Sequence, residues 1–143
     1  MLNQILFVFS VFIMGVLVSN LEASAESEIK EQIYQFVSAG DNQDPSKLET
    51  ILHPDYRITF AFPGESKVTI LTRETYLQLL KEKKLGGTKR SVKIEDIAIR
   101  GNTALVRAKL ESEVMKFSIF FSLMNVGEGW KLISDLPYAE KKN

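Results

Sequence analysis

Apolar residues recur at helical spacing in three segments of the chain. From Glu26 to Ala39 they follow the i, i+4, i+7, i+8 pattern, which predicts an amphipathic helix. The pair Asp44-Pro45, an N-cap followed by proline at the first helical position, predicts a short second helix over 46–52. Thr72 begins a third helix that runs to about residue 84 and ends before two glycines.

Period-two alternation, which is typical of strands, covers most of the remaining chain. A strand over 56–62 is followed by a turn and a short return over 68–71. Four further strands follow, separated by glycine-containing turns or a short loop, over residues 91–100, 103–112, 115–126 and 130–136. Consecutive strands joined by tight turns predict an antiparallel meander.

The first strand of the meander changes phase along its length. Val92 and Ile94 share one parity, whereas Ile97 and Ile99 share the other. A bulge near Glu95-Asp96 would reconcile the two halves, and bulges bend sheets. We therefore expect an α+β fold in which three N-terminal helices lie beside a strongly bent antiparallel sheet and close a cone with a cavity.

The N-terminal segment has the pattern of a secretory signal. Ile5 to Val18 is a nearly unbroken apolar run, and Ala23-Ser24-Ala25 is a small-residue cleavage pattern. The run is shorter than the roughly 20 residues that a membrane helix needs. We expect residues 1–25 to be a signal peptide and residues 26–143 to be one exported domain, periplasmic or secreted, without stable membrane insertion. An uncleaved anchor is the alternative.

Composition narrows the function classes. The 143 residues include 18 basic and 18 acidic side chains, and this balance argues against a nucleic-acid partner. The chain has no cysteine, which excludes disulfides and thiolate metal sites, and its single histidine excludes sites with several imidazole ligands. We therefore expect no metal and no cofactor.

Three residues deserve a catalytic interpretation, and none is assigned a catalytic role. His53 lies between a helix end and a proline, where it can cap backbone groups. Asp55 follows that proline and can form an Asx-type turn. Strict alternation places Asp135 on the strand face opposite Trp130, so nothing in the sequence directs its carboxyl into the cone.

The order of elements and four local motifs carry a family resemblance. The motifs are Tyr34 with Gly40-Asp41, Leu48-x-x-Ile51-Leu52-His53-Pro54-Asp55, Thr72-Arg73-Glu74-x-Tyr76-Leu77 and Gly129-Trp130-Lys131-Leu132-Ile133. Together they resemble the nuclear transport factor 2-like superfamily, which includes ketosteroid isomerase, scytalone dehydratase and polyketide cyclases. Within it, the chain is similar to the lumazine-binding group of small bacterial proteins. The resemblance implies a cone-shaped fold but transfers no activity, because this fold hosts enzymes, binding proteins and assembly domains.

Aromatic residues are expected on the faces that look into the cone. We predict that a small apolar or aromatic molecule binds among Tyr34, Phe36, Tyr56, Phe60, Tyr76, Phe117, Phe121 and Trp130. Core packing is the alternative explanation for these side chains.

The strand over 115–126 is apolar on both faces, which a one-layer sheet does not need unless something covers its second face. In the resembling fold the outer sheet face commonly forms a dimer, so we expect a homodimer. A cluster of cations surrounds Gly86-Gly87 and is either a solvated helix end or a contact for anionic groups, at Lys81, Lys83, Lys84, Lys89, Arg90 and Lys93.

Three functions remain open from the sequence. The first is an exported binding protein for a small molecule, without assigned catalysis. The second is a cofactor-free isomerase, dehydratase or cyclase that uses Asp55 or Asp135 as a base. The third is an assembly module of the cell envelope that acts through its outer sheet face.

Overall fold

A computed structural model describes the backbone of residues 2–143 and the side chains of residues 17–143. It contains three helices, α1 (Leu2–Asp41), α2 (Pro45–Ile51) and α3 (Arg73–Lys81). Helix α1 begins well before Glu26, where the apolar periodicity places the start, and passes through the predicted cleavage position. The apolar run from Ile5 lies mostly outside the residues whose side chains are described. Within the described part of the chain, no helix combines the length and the apolar character needed to cross a membrane.

Six strands form one sheet. They are β1 (Leu52–Phe60), β2 (Thr69–Thr72), β3 (Ser91–Arg100), β4 (Thr103–Glu111), β5 (Met115–Asn125) and β6 (Trp130–Lys141), in the order β2-β1-β6-β5-β4-β3. The predicted meander is confirmed over β3 to β6. The prediction that the whole sheet is antiparallel is wrong, because β1 pairs parallel with β6. Since nearly half of the chain separates these two strands, no local turn signal could have revealed their pairing.

Two bulges bend the meander. The first is at Glu95, where the β3–β4 register shifts between Ile94 and Asp96, as the change of phase predicts. The second lies in β6: Ser122 pairs with Ser134 and Leu123 pairs with Leu132, which leaves Ile133 as the extra residue. An extra residue reverses the side-chain alternation beyond it. In the second half of β6, the side chains that face the cone are therefore the alternate set to the one that the sequence predicts, and Asp135 is among them.

The core lies between the helices and the inner face of the bent sheet. Helix α1 buries an apolar stripe that includes Ile29, Ile33 and Phe36. Strand β4 alternates as predicted, with four inward side chains at most 3% exposed, namely Ala104, Val106, Ala108 and Leu110. Burial of whole aliphatic side chains at about 1.5–3 kcal/mol each makes this layer the main source of stability.

Backbone contacts fix the ends of the helices. Asp44 Oδ1 accepts a hydrogen bond from Lys47 N at 3.0 Å, and this confirms the predicted cap of α2. The end of α1 lies against the segment that follows α3, where Gly87 N donates to Gly40 O at 3.4 Å. Gly86 has a φ of +71°, and a Cβ there would overlap the carbonyl oxygen of Gly40. This close approach brings the end of α1 to one rim of the cone.

Candidate functional site

A cavity of about 430 Å³ occupies the wide end of the cone. Its mouth lies between the loops around residues 61–63, 85–88 and 112–115. The walls are apolar side chains, among them Phe36, Ile58, Phe60, Leu71, Phe117 and Ile119. The polar side chains that reach it are Tyr76, Thr88, Arg90, Ser112 and Asp135. An apolar pocket with a few polar groups is the usual form of a small-molecule site.

Asp135 is an ionisable residue for which strict strand alternation predicts the wrong face of the sheet. The bulge at Ile133 turns its side chain inward, where it lines the cavity and is only 5% exposed. The hydroxyl of Tyr56 lies close enough to affect the carboxyl pKa, yet neither Tyr56 Oη nor Asp135 Oδ1 completes a hydrogen bond within the described structure. Buried polar atoms without partners are rare, and each one calls for an explanation.

Burial decides the protonation of this cluster. Loss of solvent raises the pKa of Asp135 to about 7, although the Tyr56 hydroxyl and the Arg90 guanidinium oppose that rise. Burial, together with the nearby Asp135 charge, also raises the pKa of Tyr56 and that of Tyr76 well above the ordinary value. Near neutral pH the two tyrosines are therefore uncharged donors, and the carboxyl exists in both protonation states.

Arg90 is held in place by Asp41 at the end of α1. Arg90 Nε donates to Asp41 Oδ1 at 2.7 Å, and the Arg90 backbone N donates to Asp41 Oδ2 at 2.8 Å. The guanidinium carbon lies 5.8 Å from the centroid of the Phe117 ring. Gly40 leaves space beside it, since a Cβ there would lie 3.3 Å from both Arg90 Nη2 and Tyr76 Oη. Two donors therefore converge on one point of the cavity wall.

The structure divides the eight predicted ligand-binding residues into three groups. Four line the cavity, namely Phe36, Phe60, Tyr76 and Phe117. Tyr56 and Phe121 lie behind that wall in the core, in ring contact with Phe36 at centroid distances of 6.2 and 5.6 Å.

Tyr34 and Trp130 do not belong to the cavity. Tyr34 is 46% exposed on the outer side of α1, one helical position off the buried stripe. Trp130 is buried at the narrow end of the cone, in a separate cleft with Leu21 and Ala25. Its fluorescence is therefore not a direct reporter of the cavity.

The other residues considered from the sequence lie elsewhere. His53 Nδ1 accepts a hydrogen bond from Asp55 N at 3.1 Å, as a local cap, and the Asp55 side chain is 80% exposed. Of the basic cluster, Arg90 belongs to the cavity, and Lys84 forms an ion pair with Glu82 at 2.7 Å. No group of three or more metal-ligating side chains occurs among the residues described.

Sequence reasoning missed two site features. The inward position of Asp135 depends on the bulge in β6. The only sequence signal of this bulge is apolar Ile133, which interrupts the alternation of inward and outward residues. Arg90 was read as one cation of a surface cluster, and its pairing with Asp41 across 49 residues has no local signal.

Comparison with known proteins places the chain in a family. Residues 24–136 match the family described as "Putative lumazine-binding", and the chain belongs to that family. No curated protein matches the sequence.

Solved structures show that the fold is nuclear transport factor 2-like. A nuclear transport factor 2-like protein of unknown function from Shewanella baltica is similar with a TM-score of 0.73 and 16% identity, over 84% of this chain and 97% of that chain. One from Cytophaga hutchinsonii has a TM-score of 0.66 and 22% identity, over 80% and 98% of the two chains. A ketosteroid isomerase-like protein from Erwinia carotovora atroseptica has a TM-score of 0.62 and 12% identity, over 82% and 95%. At these identities the likeness extends to the fold alone.

Proposed function

We propose that this protein is an exported binding protein that holds a small apolar or aromatic molecule in the cavity of its cone. The observation that carries the proposal is the cavity of about 430 Å³, with aromatic walls and a buried carboxyl at its inner end. Membership of a family named for binding a small ring compound is consistent with it. A domain stabilised by packing alone would fill such a space unless the space had a use.

Neighbouring positions on β6 provide a matched test of this function. Ala139 lines the cavity, whereas the next residue, Glu140, is exposed on the other side of the strand. Ala139→Phe should fill the cavity and abolish binding, and Glu140→Phe should leave it intact. Native mass spectrometry of protein purified from its own host measures any ligand that stays bound. Equal occupancy in the two variants would place the ligand elsewhere and refute the proposal.

A second candidate is proton transfer by Asp135. The observation that favours it is a buried cavity carboxyl whose pKa is about 7, close to the pH at which a general base works best. In this scheme the carboxylate takes a proton from a carbon next to a ligand carbonyl. The electron pair moves to the carbonyl oxygen, where Tyr76 and Arg90 donate hydrogen bonds, and the proton then returns to carbon.

Isotope exchange tests this candidate without knowledge of the natural substrate. In D₂O, exchange of the methyl protons of 2-acetylnaphthalene can be followed by NMR. Wild-type protein should accelerate the exchange, and Asp135→Asn, which keeps the shape but is a far weaker base, should not. Equal rates with both proteins would leave binding as the function of the site.

The third function is envelope assembly through the outer sheet face. The open cavity favours small-molecule binding over this function. That face nevertheless exposes apolar side chains from three strands, and we propose that it forms a homodimer. The exposed set is Leu105, Phe120, Leu136 and Tyr138.

A further inference from the structure

The three loops around the cavity mouth expose apolar side chains near their tips. Phe62, Leu85 and Val114 all line the mouth, yet their side chains are 59%, 36% and 63% exposed. Surface loops ordinarily carry polar residues at such positions. These three residues, the mouth rim, therefore leave apolar surface in water around an opening that is itself apolar inside, and exposed apolar patches of this kind mark contact surfaces.

The opposite end of the cone shows the ordinary pattern. The turns Gly101-Asn102 and Gly127-Glu128-Gly129 adjoin the Trp130 cleft and consist of glycine and polar residues. Val126 is the exposed large apolar residue beside these turns. A ring of apolar loop tips is thus a feature of the mouth and not of the loops in general.

Cations lie next to the mouth rim. Two cations of the segment 81–90 have acidic partners, since Lys84 pairs with Glu82 and Arg90 pairs with Asp41. Three further lysines of this segment are exposed and make no ion pair among the described contacts, namely Lys81, Lys83 and Lys89.

The other two mouth loops are nearly neutral. Glu65 and Lys67 offset each other in the first loop, and Glu113 is the acidic residue of the loop that contains Val114. Three lysines against one glutamate leave an excess of two positive charges at the mouth, whereas the whole chain has a net charge of zero.

Apolar tips and cations around one opening fit the surface of an anionic bilayer. Apolar side chains enter the boundary between headgroups and acyl chains, and neighbouring lysines contact the anionic headgroups. A protein partner would have to supply a plug for the open cavity, whereas acyl chains cover the mouth without one.

We propose that the mouth rim docks the exported protein reversibly on a bilayer that contains anionic phospholipid, with the cavity open toward the acyl chains. This docking surface goes beyond the proposed binding function and does not depend on it. Where both hold, an apolar ligand passes between bilayer and cavity without crossing water, which is unfavourable for apolar surface. The narrow end, with Trp130, then points away from the bilayer.

Flotation with vesicles tests the docking. The exported protein should float with vesicles of phosphatidylglycerol and phosphatidylcholine in equal parts. It should bind about tenfold more weakly to phosphatidylcholine alone, because the excess cations then lack anionic partners. Added salt should weaken binding to the mixed vesicles. Absence of binding to the mixed vesicles, or equal binding to both kinds, would overturn the inference.

Two exposed valines provide a matched pair of variants. Val114→Ser, at the rim, should reduce binding to the mixed vesicles about fivefold, because an apolar contact with the bilayer is lost. Val126→Ser makes the same change at the narrow end and should bind as wild type does. Equal effects of the two changes would place the contact away from the mouth and refute the docking surface.

Fluorescence measures which end of the molecule approaches the bilayer. Trp130 is the only tryptophan of the chain and is buried at the narrow end, so brominated phospholipid should leave the emission of wild type unchanged. Phe62→Trp places a second indole at the rim, and the same lipid should quench it. Quenching of Trp130 in wild type would reverse the orientation and contradict the proposal.

Ala139→Phe separates docking from ligand binding. It fills the cavity and leaves the rim in place, so this variant should dock as wild type does although it holds no ligand. A wild type that retains a ligand but does not dock would refute the docking surface alone, and one that docks but retains no ligand would refute the binding function alone. Light scattering without lipid covers the remaining occupant: a loss of dimer mass in Phe62→Ser would show that the rim joins two copies, and would overturn the inference.

Discussion

At the scale of single residues, Asp135 gives the cavity its chemistry. The carboxyl is buried, one of its oxygens lacks a hydrogen bond among the described groups, and its pKa is about 7. A protein that only needed a filled core would place an apolar residue at this position, since an unsatisfied buried polar atom destabilises the fold by about 1–3 kcal/mol. We therefore infer that Asp135 is kept for a functional role, although its burial lowers the stability of the fold.

Asp135 makes stability depend on pH in a definite direction. Burial raises its pKa from 3.8 in the unfolded chain to about 7 in the fold, so between these values the folded state holds a proton that the unfolded state has released. The stabilisation is complete below about pH 4 and is lost as the pH rises through 7. Above about pH 7, where Asp135 is ionised in both states, the lost stabilisation amounts to about 4 kcal/mol.

The variant Asp135→Asn isolates this effect. Urea unfolding at pH 4, 5.5 and 7 should show wild type losing stability relative to Asp135→Asn as the pH rises. Asp96→Asn serves as the control for loss of an exposed carboxylate, because the Asp96 side chain lies on the solvent side of β3. Its difference from wild type should stay nearly constant. Parallel profiles for wild type and Asp135→Asn would contradict the burial of a neutral carboxyl.

At the scale of elements, local patterns predict much of the fold. The caps at Asp44 and Thr72, the alternation in β4 and the bulge at Glu95 all depend on neighbouring residues, and the structure confirms them. Features that depend on distant contacts were not predictable. The parallel β1–β6 pairing joins distant strands, and the bulge at Ile133 is set by the partner strand β5.

The candidate site follows the same division. Phe36, Phe60, Tyr76 and Phe117 reach the cavity because helical and strand periodicity fix their faces. Trp130 also lies on the inner face, yet at the wrong end of the cone, since periodicity assigns a face and not a depth.

The contact between the end of α1 and the segment after α3 holds the cavity rim together. Gly86 has positive φ, and an added Cβ would overlap the Gly40 carbonyl oxygen. Gly86→Ala should destabilise the protein by about 3 kcal/mol or more, from backbone strain and overlap combined. Gly64→Ala is the matched control: its φ is +85°, nothing lies within 4 Å of a Cβ there, and about 1 kcal/mol of strain is expected. Equal losses in thermal or urea unfolding would show that the contact with Gly40 is unimportant.

At the scale of the whole molecule, the outer sheet face determines the expected assembly. Phe120 is 54% exposed there, beside Leu136 on the adjacent strand. We expect a homodimer in which this patch is buried, so Phe120→Glu should yield a folded monomer because it places an unpaired charge in the interface. Tyr34→Glu, at an exposed aromatic residue on helix α1, should remain dimeric. Light scattering measures the mass, and a monomeric wild type at high micromolar concentration would refute the dimer.

The direction of α1 determines where the N-terminal leader lies relative to the cavity. Ala25 lies beside Trp130 at the narrow end, whereas Gly40 lines the cavity at the wide end, about 22 Å further along the helix. A leader that stayed in the membrane would therefore hold the narrow end toward the bilayer and point the mouth away from it. A cleaved leader leaves the domain free, and its core contacts along α1 begin at Ile29, with Ala25 only partly packed.

We expect cleavage after Ala25, so N-terminal sequencing of the exported protein should begin at Glu26. Because the buried stripe of α1 starts beyond the cleavage position, the 26–143 chain should fold on its own and bind 2-acetylnaphthalene with the affinity of the full-length chain. Ala23→Leu should slow processing, because the first position of the Ala-x-Ala pattern needs a small side chain, whereas Ser24→Leu, at the middle position, should be processed normally. Recovery of full-length wild-type chain in the membrane fraction would contradict cleavage and indicate an anchored protein.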